Sequence, residues 1–261
     1  MQAEIAIIGG SGLYDSELLE DKKEIKLSTP FGRPSDLITI GTFKGRKIAF
    51  LPRHGKGHHT PPHLVNSRAN IWALKELGVK RILASSACGS LREEYRPGDI
   101  MIIDQFVDMT RGRKTTFYEG GKVCHISAAD PFCRELRKIL LQEGAGLGTR
   151  IHSKGTYICI NGPRFSTRAE SKLYRSWGMD VIGMTLVPEC VLAKELEICY
   201  ATVALVTDYD VWAEKPVDFD EVLRTMGSNV HKARQLFSAA IGRIPQERTC
   251  SCKESLKNAL I

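Results

Sequence analysis

The sequence predicts an α/β protein in which a mixed, mostly parallel β-sheet lies between two layers of helices, as a three-layer αβα sandwich. Three observations lead to this prediction. Short apolar segments alternate with longer amphipathic ones, which is typical of strands joined by helices. Residues 200–206 are nearly all apolar, as in strands buried on both faces. The chain has 261 residues, 43% of them hydrophobic, which is enough for one large domain.

Turn and capping residues delimit the elements. Proline residues at the start of a segment, the capping box Thr167-x-x-Glu170 and terminal glycines mark the helices. The predicted strands cover residues 4–8, 37–40, 47–51, 79–84, 99–107, 155–160, 180–182 and 200–206. The predicted helices cover residues 60–78, 130–144, 167–177, 188–198 and 218–241. No repeat or linker interrupts this order, so we expect a single domain over 1–261 with a C-terminal tail over 245–261.

Composition narrows the classes of function. The chain carries a net charge of +7, but its basic residues are scattered, and the densest group, residues 111–114, is short and lacks aromatic neighbours. Such charge favours a solvated surface over a nucleic-acid site, and it is compatible with steering a small anion. No apolar run approaches the length of a membrane span, and the N-terminus lacks the features of a secretory signal. We therefore expect a cytoplasmic protein that binds neither nucleic acid nor membrane.

Eight cysteines are many for such a protein. No CxxC pair is present, which argues against a structural zinc site, and no metal is expected elsewhere. The chain has only five Gln and five Asn residues, a scarcity that fits adaptation to heat. In heat-adapted organisms intracellular disulfides do occur. We therefore expect a disulfide involving the CxC motif of Cys250 and Cys252. Cys190 with Cys252 is the first pairing considered, and the CxC itself or Cys133 with Cys199 are alternatives.

Several predicted strands end in residues suited to an anion. In open α/β sheets, ligands bind beyond the carboxyl ends of the strands. The turn 9–12 offers backbone N–H groups and a hydroxyl, and Arg53 provides a guanidinium that can bind phosphate through two hydrogen bonds. Residues 85–90 and Thr185 add further hydroxyls at two other strand ends. One phosphate or sulfate site would account for all of these turns together.

Two acidic residues follow the apolar strand 200–206, in the segment Asp208-Tyr209-Asp210. One interpretation is a surface turn or a helix N-cap. The other is that one or both carboxylates face a heterocycle, where partial burial would raise the pKa of the acid and suit it to donate a proton. Because side chains alternate along a strand, Tyr209 should point to the opposite side and pack.

Taken together, these motifs resemble those of the 5′-methylthioadenosine phosphorylases, in the trimeric branch of the purine nucleoside phosphorylases. The likeness runs from about residue 4 to residue 240, and the tail with its CxC resembles archaeal, heat-adapted members. The matching segments, in order, are Gly9-Gly10-Ser11-Gly12-Leu13, Pro52-Arg53-His54-Gly55, residues 86–94, Pro97-Gly98-Asp99, residues 161–166, Met184-Thr185 with Val187-Pro188-Glu189, and Thr207-Asp208-Tyr209-Asp210.

The resemblance implies roles for particular residues. The expected phosphate site consists of Ser11, Arg53, His54, Ser86, Ala87 and Thr185. Met184 would lie against the ribose, and Asp208 and Asp210 would bind the purine. Ser166 and Phe219 occupy positions tied to substrate choice. His125 matches a residue that reaches the 5′ end of the substrate from a neighbouring subunit, so a homotrimer or a hexamer of two trimers is expected.

The implied reaction is the reversible phosphorolysis of 5′-methylthioadenosine to adenine and 5-methylthioribose 1-phosphate, with inorganic phosphate as co-substrate and no cofactor. Asp208 would protonate N7 of the leaving purine and Asp210 would accept from its 6-amino group, although the two roles could be exchanged. Adenosine is a second possible substrate. The alternatives are a purine nucleoside phosphorylase of broader range and a nucleosidase that uses water instead of phosphate.

Overall fold

A mixed β-sheet forms the centre of the protein. The computed structural model describes residues 2–10, 13, 19–213 and 219–261, with Phe219 and Glu221 described by their backbone alone. The strands are β1 (Ile5–Gly9), β2 (Glu20–Ile25), β3 (Ile38–Phe43), β4 (Arg46–Pro52), β5 (Arg81–Ser90), β6 (Ile100–Ile102), β7 (Gln105–Met109), β8 (Ile151–His152), β9 (Thr156–Ile160), β10 (Val181–Gly183) and β11 (Cys199–Asp208). The helices are α1 (Ser67–Glu76), α2 (Arg134–Gly144), α3 (Arg168–Ser176), α4 (Glu189–Glu195) and α5 (Phe219–Arg243).

The strand order is β2-β3-β4-β1-β5-β10-β9-β7, and β11 branches from β5 to pair with β6, which in turn pairs with β8. Among the described strands, six of the ten pairings are parallel. The longest is the parallel pairing of β5 with β11, which begins at Arg81 with Cys199. This arrangement brings the carboxyl ends of β1, β4, β5 and β11 to the same side of the sheet.

Helices cover both faces of the sheet. Strand β11 directs Tyr200, Ala204 and Val206 into a core shared with α1 and α4. Its intervening residues, Ala201, Val203 and Leu205, enter a second core shared with α2 and α5. The alternation explains why the sequence of β11 is apolar at nearly every position. The predicted three-layer αβα architecture with a mostly parallel sheet is confirmed.

Some boundaries differ from those predicted. The segment after Thr60 forms only a short 3-10 helix over Pro62–Leu64, and α1 begins later, where Asn66 caps it by accepting from the N–H of Ala69. Strand β5 continues to Ser90, through the segment predicted as a turn, because both β10 and β11 pair with it there. Strand β2 was not predicted, since its residues are charged and mostly exposed at the sheet edge.

The expected disulfide is not present, because all eight cysteines are free thiols. The pairing of Cys190 with Cys252 was wrong for a geometric reason. Cys190 packs in the core that α1 and α4 cover, whereas Cys252 packs against the core on the side of α2 and α5. The sheet therefore lies between them. Cys133 and Cys199 lie close together, on the same side as the CxC, but they are not bonded.

The C-terminal tail returns to the body of the protein. After the 3-10 helix Ser251–Glu254, Leu260 forms an antiparallel bridge with Cys124. The N–H of His125 donates to the carbonyl of Ala259 at 2.7 Å, and Val123 and Ile261 exchange two backbone hydrogen bonds. The tail thus fixes the backbone of the segment that carries His125. No helix in the described part of the chain is long and apolar enough to cross a membrane.

Candidate active site

A cavity of about 440 Å³ lies at the carboxyl ends of the central strands. It collects residues from most of the motifs that the sequence singled out. The predicted site residues that line it are Arg53, His54, Ser86, Ala87, Ser166, Met184, Thr185, Asp208 and Asp210. Residues that are distant along the chain therefore meet in one site.

The two carboxylates reach the cavity because of a β-bulge at the end of β11. The register with β5 shifts between Val206 and Asp208, which pairs with Gly89. Bulges are common beside functional sites because they redirect side chains. Gly89 leaves room for the acid, since a Cβ atom there would lie 2.9 Å from Oδ1 of Asp208. Asp210 then adopts a positive φ of 49°, which Asp tolerates better than most residues.

Hydrogen bonds hold both carboxylates. The hydroxyl of Ser166 donates to Asp210, with its oxygen 2.9 and 3.0 Å from the two carboxylate oxygens. Asp208 accepts from the backbone N–H of Asp210 at 2.8 Å through Oδ1, and from the hydroxyl of Thr207 at 2.7 Å through Oδ2. Asp210 is only 4% exposed. A planar heterocycle in the cavity would therefore meet two acids of fixed orientation.

Tyr209, between the two acids, lies outside the cavity lining. Its ring packs edge-on against Trp212, with the centroids 5.5 Å apart. Trp212 is itself held by a hydrogen bond from its indole N–H to the carbonyl of Ser90 and by the guanidinium of Arg175 stacked 3.6 Å from the ring centroid. Tyr209 thus packs outside the cavity, as expected, but it follows the last residue of β11, so strand alternation is not the cause.

One lining residue of the cavity, Arg53, belongs to a buried ion pair. Arg53 donates to Glu189 through Nε and Nη2, both at 2.8 Å, and through Nη1 to the carbonyl of Ser85 at 2.8 Å. Burial disfavours the charge on Arg53, but the Glu189 carboxylate more than offsets this effect and raises the pKa of the guanidinium. Within the described residues, three of its five N–H groups are engaged in these bonds. The other two have no partner there and are available for an anion in the cavity.

Hydroxyl groups extend the anion-binding surface. The Ser86 hydroxyl lies 2.9 Å from the Thr185 hydroxyl and 3.0 Å from that of Tyr157. Burial raises the pKa of Tyr157 well above its usual value, so its hydroxyl remains protonated and can donate. This chain of hydroxyls joins β5, β9 and the segment after β10. It can present donors toward an oxyanion without adding charge.

His54 contributes to the site in its neutral form. Its Nδ1 lies 2.9 Å from the carbonyl of Thr60, an acceptor that requires Nδ1 to carry the proton. Burial and the neighbouring Arg53 lower the pKa of His54 from 6.5 to about 4. Nε2 is therefore an acceptor near pH 7, suited to the hydroxyl of a protonated phosphate. His54 therefore does not add a second positive charge beside Arg53.

Three predicted site residues are not placed in the cavity. Ser11 lies outside the described residues, and the side chain of Phe219 is not described either, although the next turns of α5 contribute Val222, Leu223 and Met226 to the lining. His125 lies in a different cavity of this chain, next to the tail. Within one chain it is not brought together with Arg53 or the two acids.

Two residues that shape the site carried no signal of their own in the sequence. Glu189 stood in a matched motif, but a glutamate at a helix start is usually a surface residue, and its partner Arg53 is far away along the chain. Tyr157 is one of several residues in an apolar strand. By contrast, Arg113, from the densest basic group, is structural, because it donates to the backbone carbonyls of Asn161 and Val187.

Comparison with known families agrees with this geometry. The model of the Phosphorylase superfamily matches residues 4–242. The match covers most of the chain, including every strand of the sheet. The chain therefore belongs to the phosphorylase superfamily.

Close relatives narrow the group further. S-methyl-5′-thioadenosine phosphorylase of Nitrosopumilus maritimus is 58% identical over 98% of this chain and 97% of the relative. The enzyme of the same name from Thermofilum pendens is 57% identical over 100% of this chain and 99% of the relative. Within the superfamily, this chain belongs with the S-methyl-5′-thioadenosine phosphorylases.

Solved structures agree in fold. A methylthioadenosine phosphorylase from an antarctic soil metagenomic library superposes with a TM-score of 0.95 at 46% identity, covering 100% of this chain and 93% of that one. Methylthioadenosine phosphorylase of Schistosoma mansoni, in complex with adenine, gives a TM-score of 0.92 at 40% identity, covering 98% and 96% of the two chains.

We expect the Glu189→Gln variant to lose stability, because it leaves the buried charge of Arg53 without its counterion, a loss of about 3–5 kcal/mol for a buried pair. Denaturant unfolding measures the change. Glu170→Gln is the matched control, since Glu170 also pairs with an arginine through two 2.7 Å contacts, but at the surface. The interpretation requires the control to lose far less, and equal losses in both variants would contradict it.

The low pKa of His54 predicts how stability depends on pH. Below about pH 6.5 the unfolded chain protonates this histidine, whereas the folded chain does so only near pH 4. The free energy of unfolding should therefore fall by about 2 kcal/mol between pH 7 and pH 5 from this group alone. The His54→Gln variant should lack that contribution, and His231→Gln, at an exposed position of α5, should retain it. Parallel pH profiles for wild type and His54→Gln would refute the assignment.

Proposed function

We propose that this chain catalyses the reversible phosphorolysis of 5′-methylthioadenosine, giving adenine and 5-methylthioribose 1-phosphate. One observation carries the proposal: a single cavity is lined both by a buried arginine with neighbouring hydroxyls and by two oriented carboxylates. The first set suits phosphate and the second suits a purine. The relatives named methylthioadenosine phosphorylase support the same reaction.

In this proposal, phosphate binds to Arg53, to the hydroxyls of Ser86 and Thr185 and to the backbone at Ala87. Arg53 supplies the charge, and Glu189 keeps the guanidinium in a fixed orientation. The Nε2 atom of neutral His54 accepts a hydrogen bond from a phosphate hydroxyl. Ser11, which follows β1 in the sequence, would add a hydroxyl to the same phosphate site by its position in the matched motif.

The reaction breaks the bond between C1′ of the ribose and N9 of the purine. The electron pair of that bond moves to the purine, and the ribose becomes cation-like. Asp208 donates a proton to N7 of the leaving adenine, while a phosphate oxygen forms the new bond to C1′. Met184, which also lines the cavity, lies against the ribose. Charges placed in advance at both ends stabilise the transition state more than the substrate.

Asp210 selects adenine over 6-oxopurines. The Ser166 hydroxyl donates to Asp210, so the carboxylate is held as an acceptor for the 6-amino group. A 6-oxo group offers it no hydrogen, and an unmatched buried polar group costs about 1–3 kcal/mol. We therefore propose a preference for adenine nucleosides, with adenosine as a second substrate after 5′-methylthioadenosine.

The 5′ end of the substrate lies beside α5. Val222, Leu223 and Met226 give this part of the cavity an apolar lining that suits a methylthio group, and Phe219 begins the same helix. We propose that His125 of the partner subunit closes this end in a homotrimer or a hexamer of two trimers. The location of His125 outside its own chain's cavity supports that arrangement.

The proposed chemistry uses no cofactor, because phosphate supplies the nucleophile and Asp208 the proton. We also propose a cytoplasmic location and adaptation to heat, the latter supported by the scarcity of Gln and Asn. A nucleosidase using water is the main alternative, and a phosphorylase of broader purine range is another. The buried Arg53, two of whose N–H groups bond to no described residue, favours phosphate over water as the second substrate.

An assay of base release decides between these alternatives. The purified chain is given 5′-methylthioadenosine, adenosine, inosine or guanosine, each with and without inorganic phosphate. We expect adenine release that requires phosphate, with 5′-methylthioadenosine turned over fastest and both 6-oxo nucleosides poorly. Phosphate-independent release would identify a nucleosidase. Comparable rates for inosine would identify the broader enzyme.

Substitutions separate the two acids. Asp208→Ala should reduce kcat with adenine nucleosides by at least about 100-fold, the usual contribution of a general acid. Asp210→Asn should relax selectivity toward inosine, since an amide can donate to a 6-oxo group. Asp21→Asn is the control, because Asp21 also has a φ of 49° but lies exposed on β2. If Asp210→Asn lost kcat and Asp208→Ala changed selectivity instead, the two roles would be exchanged.

A further inference from the structure

Thr207 is a cavity residue to which the proposed reaction assigns no role. It is the extra residue of the bulge in β11, directly before Asp208. Thr207 lines the cavity although it is only 2% exposed. Its hydroxyl oxygen lies 2.7 Å from Oδ2 of Asp208 and 3.2 Å from the carbonyl oxygen of Cys88 on β5. Because a hydroxyl carries a single proton, Thr207 can donate fully to only one of these two acceptors at a time.

We propose that Thr207 is a positioning residue that supports both protonation states of Asp208, by turning its hydroxyl between these two acceptors. The proposal rests on the function proposed above, in which Asp208 protonates the leaving purine. When Asp208 is ionised, the Thr207 hydroxyl donates to Oδ2. When Asp208 is protonated, the hydroxyl donates to the carbonyl of Cys88, and its lone pairs face the acid. Either state of the acid is therefore matched by Thr207.

The backbone next to Thr207 is held in place, so this exchange needs only a rotation of the hydroxyl. The N–H of Val206 donates to the carbonyl of Asp99 at 3.0 Å, and the carbonyl of Val206 accepts from the N–H of Gly98 at 2.8 Å. That carbonyl also accepts at 2.8 Å from the side-chain amide of Asn229, a fully buried residue of α5. Thr207 can therefore respond to the acid without a movement of the strand.

The two carboxylate oxygens of Asp208 have different neighbours. Oδ1 accepts from the backbone N–H of Asp210 at 2.8 Å, and this donor stays in place whatever the charge of the acid. Oδ2 faces Thr207, whose hydroxyl can turn away. A proton is therefore accommodated more easily on Oδ2 than on Oδ1, which makes Oδ2 the oxygen from which N7 of the purine would be protonated.

The Thr207 hydroxyl matters most while the proton is transferred. As the proton moves from Asp208 to N7 of adenine, the electron pair of the O–H bond stays on Asp208, which becomes negatively charged. A hydrogen bond to a carboxylate favours the charged form, so donation from Thr207 at this moment makes Asp208 a stronger acid. After adenine leaves, Asp208 takes a proton from solvent, and the hydroxyl turns back to Cys88.

Other titratable groups contribute to the field at Asp208. Burial raises the pKa of Cys88 to about 12, so its thiol is uncharged, and burial lowers the pKa of His54 to about 4. The described residues of α5 that line the cavity are apolar. A comparison of Thr207 variants isolates the hydroxyl, because it leaves the titratable residues that line the cavity with Asp208 unchanged. These residues are Arg53, His54, His58, Cys88 and Asp210.

The Thr207→Val variant tests the proposal, because valine has a similar shape but no hydroxyl. The pH profile of kcat is measured for adenine release from 5′-methylthioadenosine, with phosphate and nucleoside both saturating. We expect the basic limb, where Asp208 loses the proton it must donate, to move to higher pH by about one unit, and kcat below that limb to fall about 10-fold. Thr207→Ser keeps the hydroxyl and should keep the wild-type profile.

Thr202→Val is the matched control, since Thr202 is also buried on β11 but does not line the cavity. It should leave the basic limb in place. Thr207→Ala removes the hydroxyl with a smaller side chain, so a packing defect in the valine variant does not decide the result, and it should move the limb in the same direction. An unmoved limb in Thr207→Val or Thr207→Ala, or an equal shift in Thr207→Ser, would overturn the proposal.

The wild-type chain separates this proposal from the proposed function. If the wild type releases adenine only with phosphate and the basic limb of Thr207→Val does not move, the role of Thr207 is wrong and phosphorolysis stands. If the wild type releases no adenine, or releases it equally well without phosphate, the proposed function is wrong and the role of Thr207 in it is wrong as well.

Discussion

The buried ion pair between Arg53 and Glu189 is the interaction on which the arrangement of the site depends. A guanidinium that is only 3% exposed persists in a core when a carboxylate and further acceptors surround it. Glu189 meets this requirement from the start of α4, and Tyr200 on β11 donates a further hydrogen bond to the same carboxylate. The pair therefore joins the end of β4 to a helix and to the central strand. The Arg53 guanidinium therefore both offers an anion-binding group and connects these three elements.

The positions of the two carboxylates in the cavity depend on backbone geometry more than on charge. Strand β11 is buried on both faces over nearly its whole length, and its carboxylate Asp208 stands where the pairing with β5 becomes irregular. The bulge after Val206 and the absence of a side chain at Gly89 give Asp208 its position. Asp210 follows in a left-handed conformation and receives the hydroxyl of Ser166. Hydrogen bonds from the protein thus fix both acids before any ligand binds.

Much of this could be predicted from the sequence, because local signals and the overall fold agree. Apolar runs predicted most strands, the capping box at Thr167 predicted the start of α3, and the strand-end rule predicted a common location for Arg53, Ser86 and Asp208. Features that depend on contacts distant in sequence could not be predicted this way. The extension of β5 to Ser90 requires both neighbouring strands. Likewise, the charged residues of β2 form a strand only because β3 offers it an edge.

The cysteines show most clearly that contacts between residues distant in sequence could not be predicted. The sequence singled out the CxC of Cys250 and Cys252, but the first pairing considered joined Cys252 to Cys190, which lies on the other side of the sheet. Spatial proximity instead joins the CxC to Cys133 and Cys199, which lie on the same face as the tail. This grouping links the tail to the central strand β11, whose far end carries Asp208. The strand that orients the proposed proton donor therefore also anchors, at its other end, the tail that supports the backbone of His125.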